Sequence, residues 1–324
     1  MPPHDKTSTY RLRFRFRVVA FLDVEGTSIT FSVGGREVRL RGQDPEIAIR
    51  NSNWLVASLG GFQSPEQARN WAERLRRATA IAAAGTRYAI DVGDDRATTA
   101  VSQILVDQLR AQGLTLHPQN VHGVDVLEDD DDIRVPLFNA SIIVHSKPQP
   151  FLSDIERIFS GNLDKIDDKT YRAILLFDAA LASAEPLARV VLMVAAVEWL
   201  AEQGSWSSLQ KDALSAAKSV IAGSTTLEPP ERDELSSAID RLYPRSIRRA
   251  VRLFLEELGL ASLWPQWDQL YSDRSGLVHE GKGRERVTQI ADVATSLAGR
   301  IVLATINRAV PNLARLDAYP IAAD

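Results

Sequence analysis

Residues 10–18, Tyr-Arg-Leu-Arg-Phe-Arg-Phe-Arg-Val, alternate without a break between apolar or aromatic side chains and arginines. Period two means a half-buried β-strand. Leu12, Phe14, Phe16 and Val18 fall on one side, and Arg11, Arg13, Arg15 and Arg17 on the other, as an all-arginine outer face. The same period continues over residues 29–40. Gly34-Gly35 between two alternating runs is a two-residue hairpin signal. Pairing through that turn sets Ile29 against Leu40 and Phe31 against Val38. Ser28, Thr30, Ser32, Glu37, Arg39 and Arg41 then share the opposite face, so register and burial agree. Residues 54–59 read as another strand, broken by Gly60-Gly61. A helix opens at Ser64-Pro65-Glu66-Gln67, which supplies an N-cap, a proline at the first helical position and a capping-box glutamine. It continues through Trp71, Leu75 and Ile81, with Gly85 as its stop.

The pattern weakens over residues 86–150. Residues 88–92, 121–127 and 137–144 read as strands, and residues 98–110 as a helix ending before Gly113. The run Glu128-Asp-Asp-Asp-Asp132 reads as a solvated acidic loop. As a cation site it lacks the glycine and terminal glutamate of an EF-hand. Lys147-Pro148-Gln149-Pro150 reads as a linker. The expectation for residues 1–147 is thus an α+β domain, a small antiparallel sheet with helices laid on it.

From residue 151 onward no strand pattern appears. Helical segments are expected at 151–160, 167–184, 187–203, 206–222, 229–241, 245–258 and 285–309. Gly161, Pro186, Gly204, Gly223, Pro229-Pro230, Pro244 and Gly259 separate them. Residues 151–324 therefore read as an all-α bundle. The segment 187–203 is apolar on most sides, which places it at the centre. Its apolar run carries Arg189 and Glu198 and is too short and too charged to span a bilayer. Residues 1–16 lack the apolar stretch of a signal peptide, so the expected location is cytoplasmic, with no membrane partner. The 324-residue chain has no cysteine. That removes disulfides, thiolate zinc sites and cysteine nucleophiles together. Its formal charge of −4 gives no global pull toward nucleic acid, so any such contact rests on local basic patches. His4, His117, His122 and His145 have no metal-ligand spacing, and neither a P-loop nor a G-x-S-x-G element is present. No metal and no cofactor is expected.

One stretch stands apart from this helical background. Residues 264–281 contain Arg274, four residues, then His279. Histidine titrates near neutral pH and serves as acid or base. Arginine stays charged and matches phosphate oxygens with a planar fork. RNA carries its own nucleophile, the 2′-OH. Five positions on an α-helix turn through about 140°, so the two residues would not stack as i, i+4 neighbours unless Gly276 distorts the helix.

The spacing resembles the R-x4-H motif of HEPN domains. The surrounding Leu-Tyr-x-x-Arg-Ser-x-x-Val-His-x-Gly is similar to the Apea-like HEPN subgroup. Several helices before the motif and a long helix after it extend the resemblance over residues 151–310. Glu198 matches the acidic residue that such domains often carry on an earlier core helix. The sequence departs from the pattern at Ser275, where many HEPN nucleases have a carboxamide or acid, and at Glu280, which lies between His279 and Gly281. What the resemblance implies is a metal-independent endoribonuclease, a defence or stress effector such as an antiviral protein or toxin. It would act as a homodimer through the C-terminal half, with two motifs facing each other. Arg274 and His279 are the catalytic candidates, with Glu198 and Ser275 as secondary ones.

Other readings stay open. Arg274 pairs internally with Glu198 and His279 faces solvent, or the domain is a non-catalytic module that dimerises and binds RNA or protein. A third is a toxin subunit controlled by a regulatory protein partner. Two patches are candidates for RNA phosphates. One is Arg11, Arg13, Arg15 and Arg17, extended by Arg39 and Arg41. The other is the helix with Arg245, Arg248, Arg249 and Arg252, where Arg248 and Arg252 share a face. A solvated face is the alternative for both, although four like charges in a row repel and an anionic partner relieves them.

Overall fold

The computed structural model describes residues 9–93, 122–128, 145–146, 148–201, 207–242 and 247–319. The alternating strand β1 (Tyr10–Val18) is an inner strand of an antiparallel sheet. On one side it pairs with β5 (Trp54–Phe62). On the other it pairs with β7 (Gly123–Glu128) along Tyr10–Arg15 and with β6 (Ile90–Asp91) at Arg17 and Val18. Beyond β5 lies the hairpin of β3 (Ser28–Val33) and β4 (Arg36–Gly42), in the expected register of Ile29 against Leu40 and Phe31 against Val38. Gly34 and Gly35 have φ of 56° and 75°, the two left-handed positions that such a turn demands. A short parallel pair, β2 (Phe21–Leu22) with β8 (His145–Ser146), sits apart from this sheet.

Strand β5 does not end at Gly60-Gly61. It continues to Phe62, and the β1–β5 register shifts between Tyr10 and Leu12. Gly61, with φ of 77°, absorbs that bulge instead of breaking the strand. Arg36 locks the spot by donating to the Gly60 carbonyl at 2.6 Å and lying over the Phe62 ring.

Helix α1 (Pro65–Thr86) begins as its cap residues require, with the Ser64 hydroxyl accepting from the Gln67 N–H at 3.2 Å. The Gln67 side chain closes one residue further back than expected, on the Gln63 N–H. Gly85 is not the stop. The helix runs through it, and Arg87 takes the left-handed conformation at φ 57°, with the Tyr88 N–H reaching back to Ala83. Arg87 lies over the Tyr319 ring, a contact that offsets the cost of this backbone shape. Seven buried alanines, Ala68, Ala72, Ala78, Ala80, Ala82, Ala83 and Ala84, leave α1 thin. That suits its position between the sheet, through β1 and β7, and the helices behind it.

The Pro148–Pro150 segment is the first turn of α2 (Pro148–Ser160), not a linker. Proline is tolerated there because the first helical N–H groups have no partner to lose. Helix α2 packs on α1 and on β3: Phe159 meets Trp71 and sits under Gly34, and Phe151 stacks on Tyr88. One apolar core therefore runs through both halves of the chain. It continues into α3 (Asp168–Ala182), α4 (Pro186–Leu200) and α9 (Val287–Ala309), which pack against one another. The expected central position of the apolar helix α4 holds: Val190, Met193, Val194 and Val197 are fully buried, and it also touches α7 (Ile247–Glu257) and α8 (Trp264–Ser275). Helices α5 (Ser208–Ala222) and α6 (Pro229–Leu242) pair with each other, and α5 has no buried residue. The stretch Arg284–Ala309, long and apolar enough to cross a membrane, is mostly buried inside this fold. The expected helix over 98–110, the strand over 137–144 and Asp129–Asp132 of the acidic run lie outside the described residues.

Candidate active site at the end of α8

Helix α8 is anchored by its buried face, with Trp267 and Leu270 in the core. At Ser275 the backbone changes from α to π geometry over Gly276–Glu280. Its i→i+5 bonding is visible where the Gly281 N–H reaches the Gly276 carbonyl, and Gly281 ends the turn at φ 67°. A π segment holds more residues per turn than an α-helix, so positions five apart rotate toward one face. The 140° separation expected for Arg274 and His279 therefore does not apply, and Gly276 begins the distortion.

Arg274 is half-buried. Its Nε is sealed from solvent and has no hydrogen-bond partner. Among the described residues it forms no salt bridge. Glu198, half-buried near the end of α4, lies close enough to Arg274 and to the Tyr271 hydroxyl for both to act on its carboxyl. Burial pushes the Glu198 carboxyl above its usual range, and Arg274 and Tyr271 oppose that push. The Tyr271 hydroxyl is likewise raised, by burial first and by Glu198 next. Glu198, Tyr271 and Arg274 thus form one electrostatic cluster. Tyr271, the tyrosine of the Leu-Tyr-x-x-Arg pattern, has no role assigned by sequence alone, although it lies one turn before Arg274 on the same helix face.

His279 sits on the exposed side of the π turn, beside exposed Val278. It adjoins Glu280, whose carboxyl is held low by its ion pair with Lys282 first and by His279 last. Ser275 takes another direction. With Tyr271, Arg248, Glu280, Lys282 and Arg286 it lines an open cleft of about 440 Å³, whose lining includes neither Arg274 nor His279. Within one chain, then, Ser275 shares a cleft with Tyr271 of the electrostatic cluster but not with Arg274 or His279.

The basic patches are less open than their sequence suggests. Arg248 is bound to Asp268, with Nε at 2.7 Å, and lies over Tyr271. Arg252 pairs with Glu256 and lies over Trp264. Arg245 is outside the described residues. On β1, Arg17 is exposed and Arg11 half-exposed, but Arg13 and Arg15 are only 6% and 3% exposed. The outer face of this strand is therefore not an open arginine row. Among the described residues no group of three or more histidine or acidic side chains is placed to hold a metal ion. Comparisons with protein-family models, with curated proteins and with solved structures give no match.

Proposed function

We propose that the chain is a metal-independent endoribonuclease of the HEPN type, acting as a homodimer in the cytoplasm. The observation that carries this reading is Arg274, a guanidinium with a sealed, unpartnered Nε just before a π turn, within electrostatic reach of Glu198 and Tyr271. π-Bulges concentrate at functional sites, and this one lies between Arg274 and the end of the motif, with His279 inside it.

In the proposed reaction the RNA 2′-oxygen attacks the adjacent phosphorus and the bond to the 5′-oxygen breaks. The products are a 2′,3′-cyclic phosphate and a free 5′-hydroxyl. A neutral histidine accepts the 2′-OH proton and a protonated one donates to the leaving oxygen. Arg274 offsets the charge that builds on the phosphoryl oxygens. One chain offers one such histidine, and the exposure of His279 suits a site completed by a second copy. Arg248 lines the cleft beside Ser275, where Asp268 would have to release it before it could meet a neighbouring phosphate. The test is RNA cleavage by the full-length protein in EDTA. Wild type should cut, and His279→Ala and Arg274→Ala should each lose cutting while keeping the fold.

A non-catalytic association module is the second reading. It draws support from exposed apolar side chains near the motif, Val278 at 43% and Trp199 at 46%. It predicts the same dimer with no cleavage.

A further inference from the structure

We propose that the outer face of the sheet holds a compact phosphate-type oxyanion between the arginines of β1 and those of β4, a ligand site separate from the RNA-cleaving motif. The register builds the receptacle. Arg39, Ser58, Arg13 and Asp125 lie in one row across β4, β5, β1 and β7, and Arg41, Val56, Arg15 and Gly123 in the next. Partners in an antiparallel sheet share a face. Neighbouring strands lie about 4.8 Å apart and alternate residues about 7 Å apart. The short side chains Ser58 and Val56 thus form a floor, with Arg13 and Arg15 along one side and Arg39 and Arg41 along the other.

Arg41 donates to the Gly42 and Gln43 carbonyls and Arg39 to the Ser28 hydroxyl, but Arg13 and Arg15 are not fully satisfied by the chain itself. Arg15 gives one nitrogen to the Gln43 amide oxygen and stacks on Trp54 at 4.0 Å. Its Nε and Nη1, and the Nε and Nη1 of Arg13, are buried without hydrogen-bond partners. A buried donor left unpaired is costly, and a buried charge more so. Burial and the neighbouring arginine charges lower Arg13 and Arg15 to about 10, so both remain charged at neutral pH and cannot escape by losing a proton. Asp125 offsets Arg13 only in part. Enclosure decides the kind of anion. A continuous RNA backbone needs an open track, whereas groups 3–6% exposed suit a small ion. A tetrahedral phosphate accepts from guanidiniums on several sides at once, which a planar carboxylate does not. Half-exposed Arg41 forms the rim.

The experiment is thermal denaturation of the full-length protein titrated with inorganic phosphate, pyrophosphate, ATP and a short RNA, against chloride at matched ionic strength. Wild type should rise by roughly 4 °C or more at saturating phosphate or ATP. Arg13→Met and Arg15→Met should lose the shift and melt no lower than wild type without ligand. His279→Ala should retain all of it, which separates this site from the cleavage motif. If the β1 variants do not fold, a weakened shift in Arg41→Gln carries the same test. Equal shifts from phosphate and ATP mean that the phosphate group alone is read, and a much tighter ATP response means a nucleotide. No shift beyond chloride, an undiminished shift in the β1 variants, or a response to RNA alone would overturn the proposal.

Discussion

Gly299→Ala sets two physical effects of opposite sign against each other. Gly299 lies inside α9, where replacing glycine by alanine ordinarily stabilises a helix by about 1 kcal/mol. Here the added Cβ would come within 2.5–2.7 Å of three Tyr319 ring carbons. Tyr319 is fully buried, meets Phe177 edge-on and donates its hydroxyl to the Ala84 carbonyl at 2.8 Å. The ring cannot yield without leaving that bond, which ties the C-terminal segment to α1. Overpacking costs about 1–3 kcal/mol, and breaking the buried hydrogen bond a further ~1–3 kcal/mol. The net expectation is a loss of about 1–5 kcal/mol, read as a lower urea midpoint at unchanged slope. A Gly299→Ala protein as stable as wild type would show that the Tyr319 strut does not hold the two halves together.

Two other substitutions probe carboxyls that burial perturbs, one fully buried and one half-buried. Asp178 on α3 has both oxygens buried without hydrogen-bond partners, and burial first, then the Asp91 charge, raises its pKa well above the usual value. A raised carboxyl binds its proton more tightly in the fold than in the unfolded chain, so wild-type stability falls as pH climbs from about 4 through the raised value. Asp178→Leu, with room in the adjoining cavity of about 410 Å³, should stabilise by about 1–3 kcal/mol at pH 8. In a pH series of thermal melts that gain should shrink toward pH 4, and a gain independent of pH would contradict the assignment. Glu198→Gln should remove a weaker dependence of the same sign, under ~1 kcal/mol because the site is partly solvated. It should slow RNA cleavage more than it lowers the melting temperature, and equal losses would make Glu198 merely structural.

The local patterns that sequence exposes best are those set by neighbours in the chain. The β3–β4 register followed from Gly34-Gly35 and two alternating runs, and the start of α1 from Ser64-Pro65. Contacts made at long range were hidden. Nothing near Pro148 announces that Phe159 will pack under Gly34, so a helix start looked like a linker. Gly60-Gly61 looked like a break because a bulge shows only against its partner strand. Strict alternation gave the arginines of β1 their face but not their burial, which depends on tertiary packing. At the candidate site, spacing marked Arg274 and His279. The π turn that contains His279, and the nearness of Tyr271 to Arg274 and Glu198, emerge only in the folded structure.

The most direct test of the central claim is a cleavage assay on one RNA whose cut position has been mapped, compared with the same RNA carrying a single 2′-deoxy nucleotide immediately 5′ to the cut. The proposed chemistry uses the substrate's own 2′-OH, with Arg274 and His279 as the only reacting protein groups. It predicts EDTA-resistant cutting, a 2′,3′-cyclic phosphate end, and no cutting at the deoxy position. Cutting that persists at the deoxy position, or that appears only with added divalent metal, would contradict it.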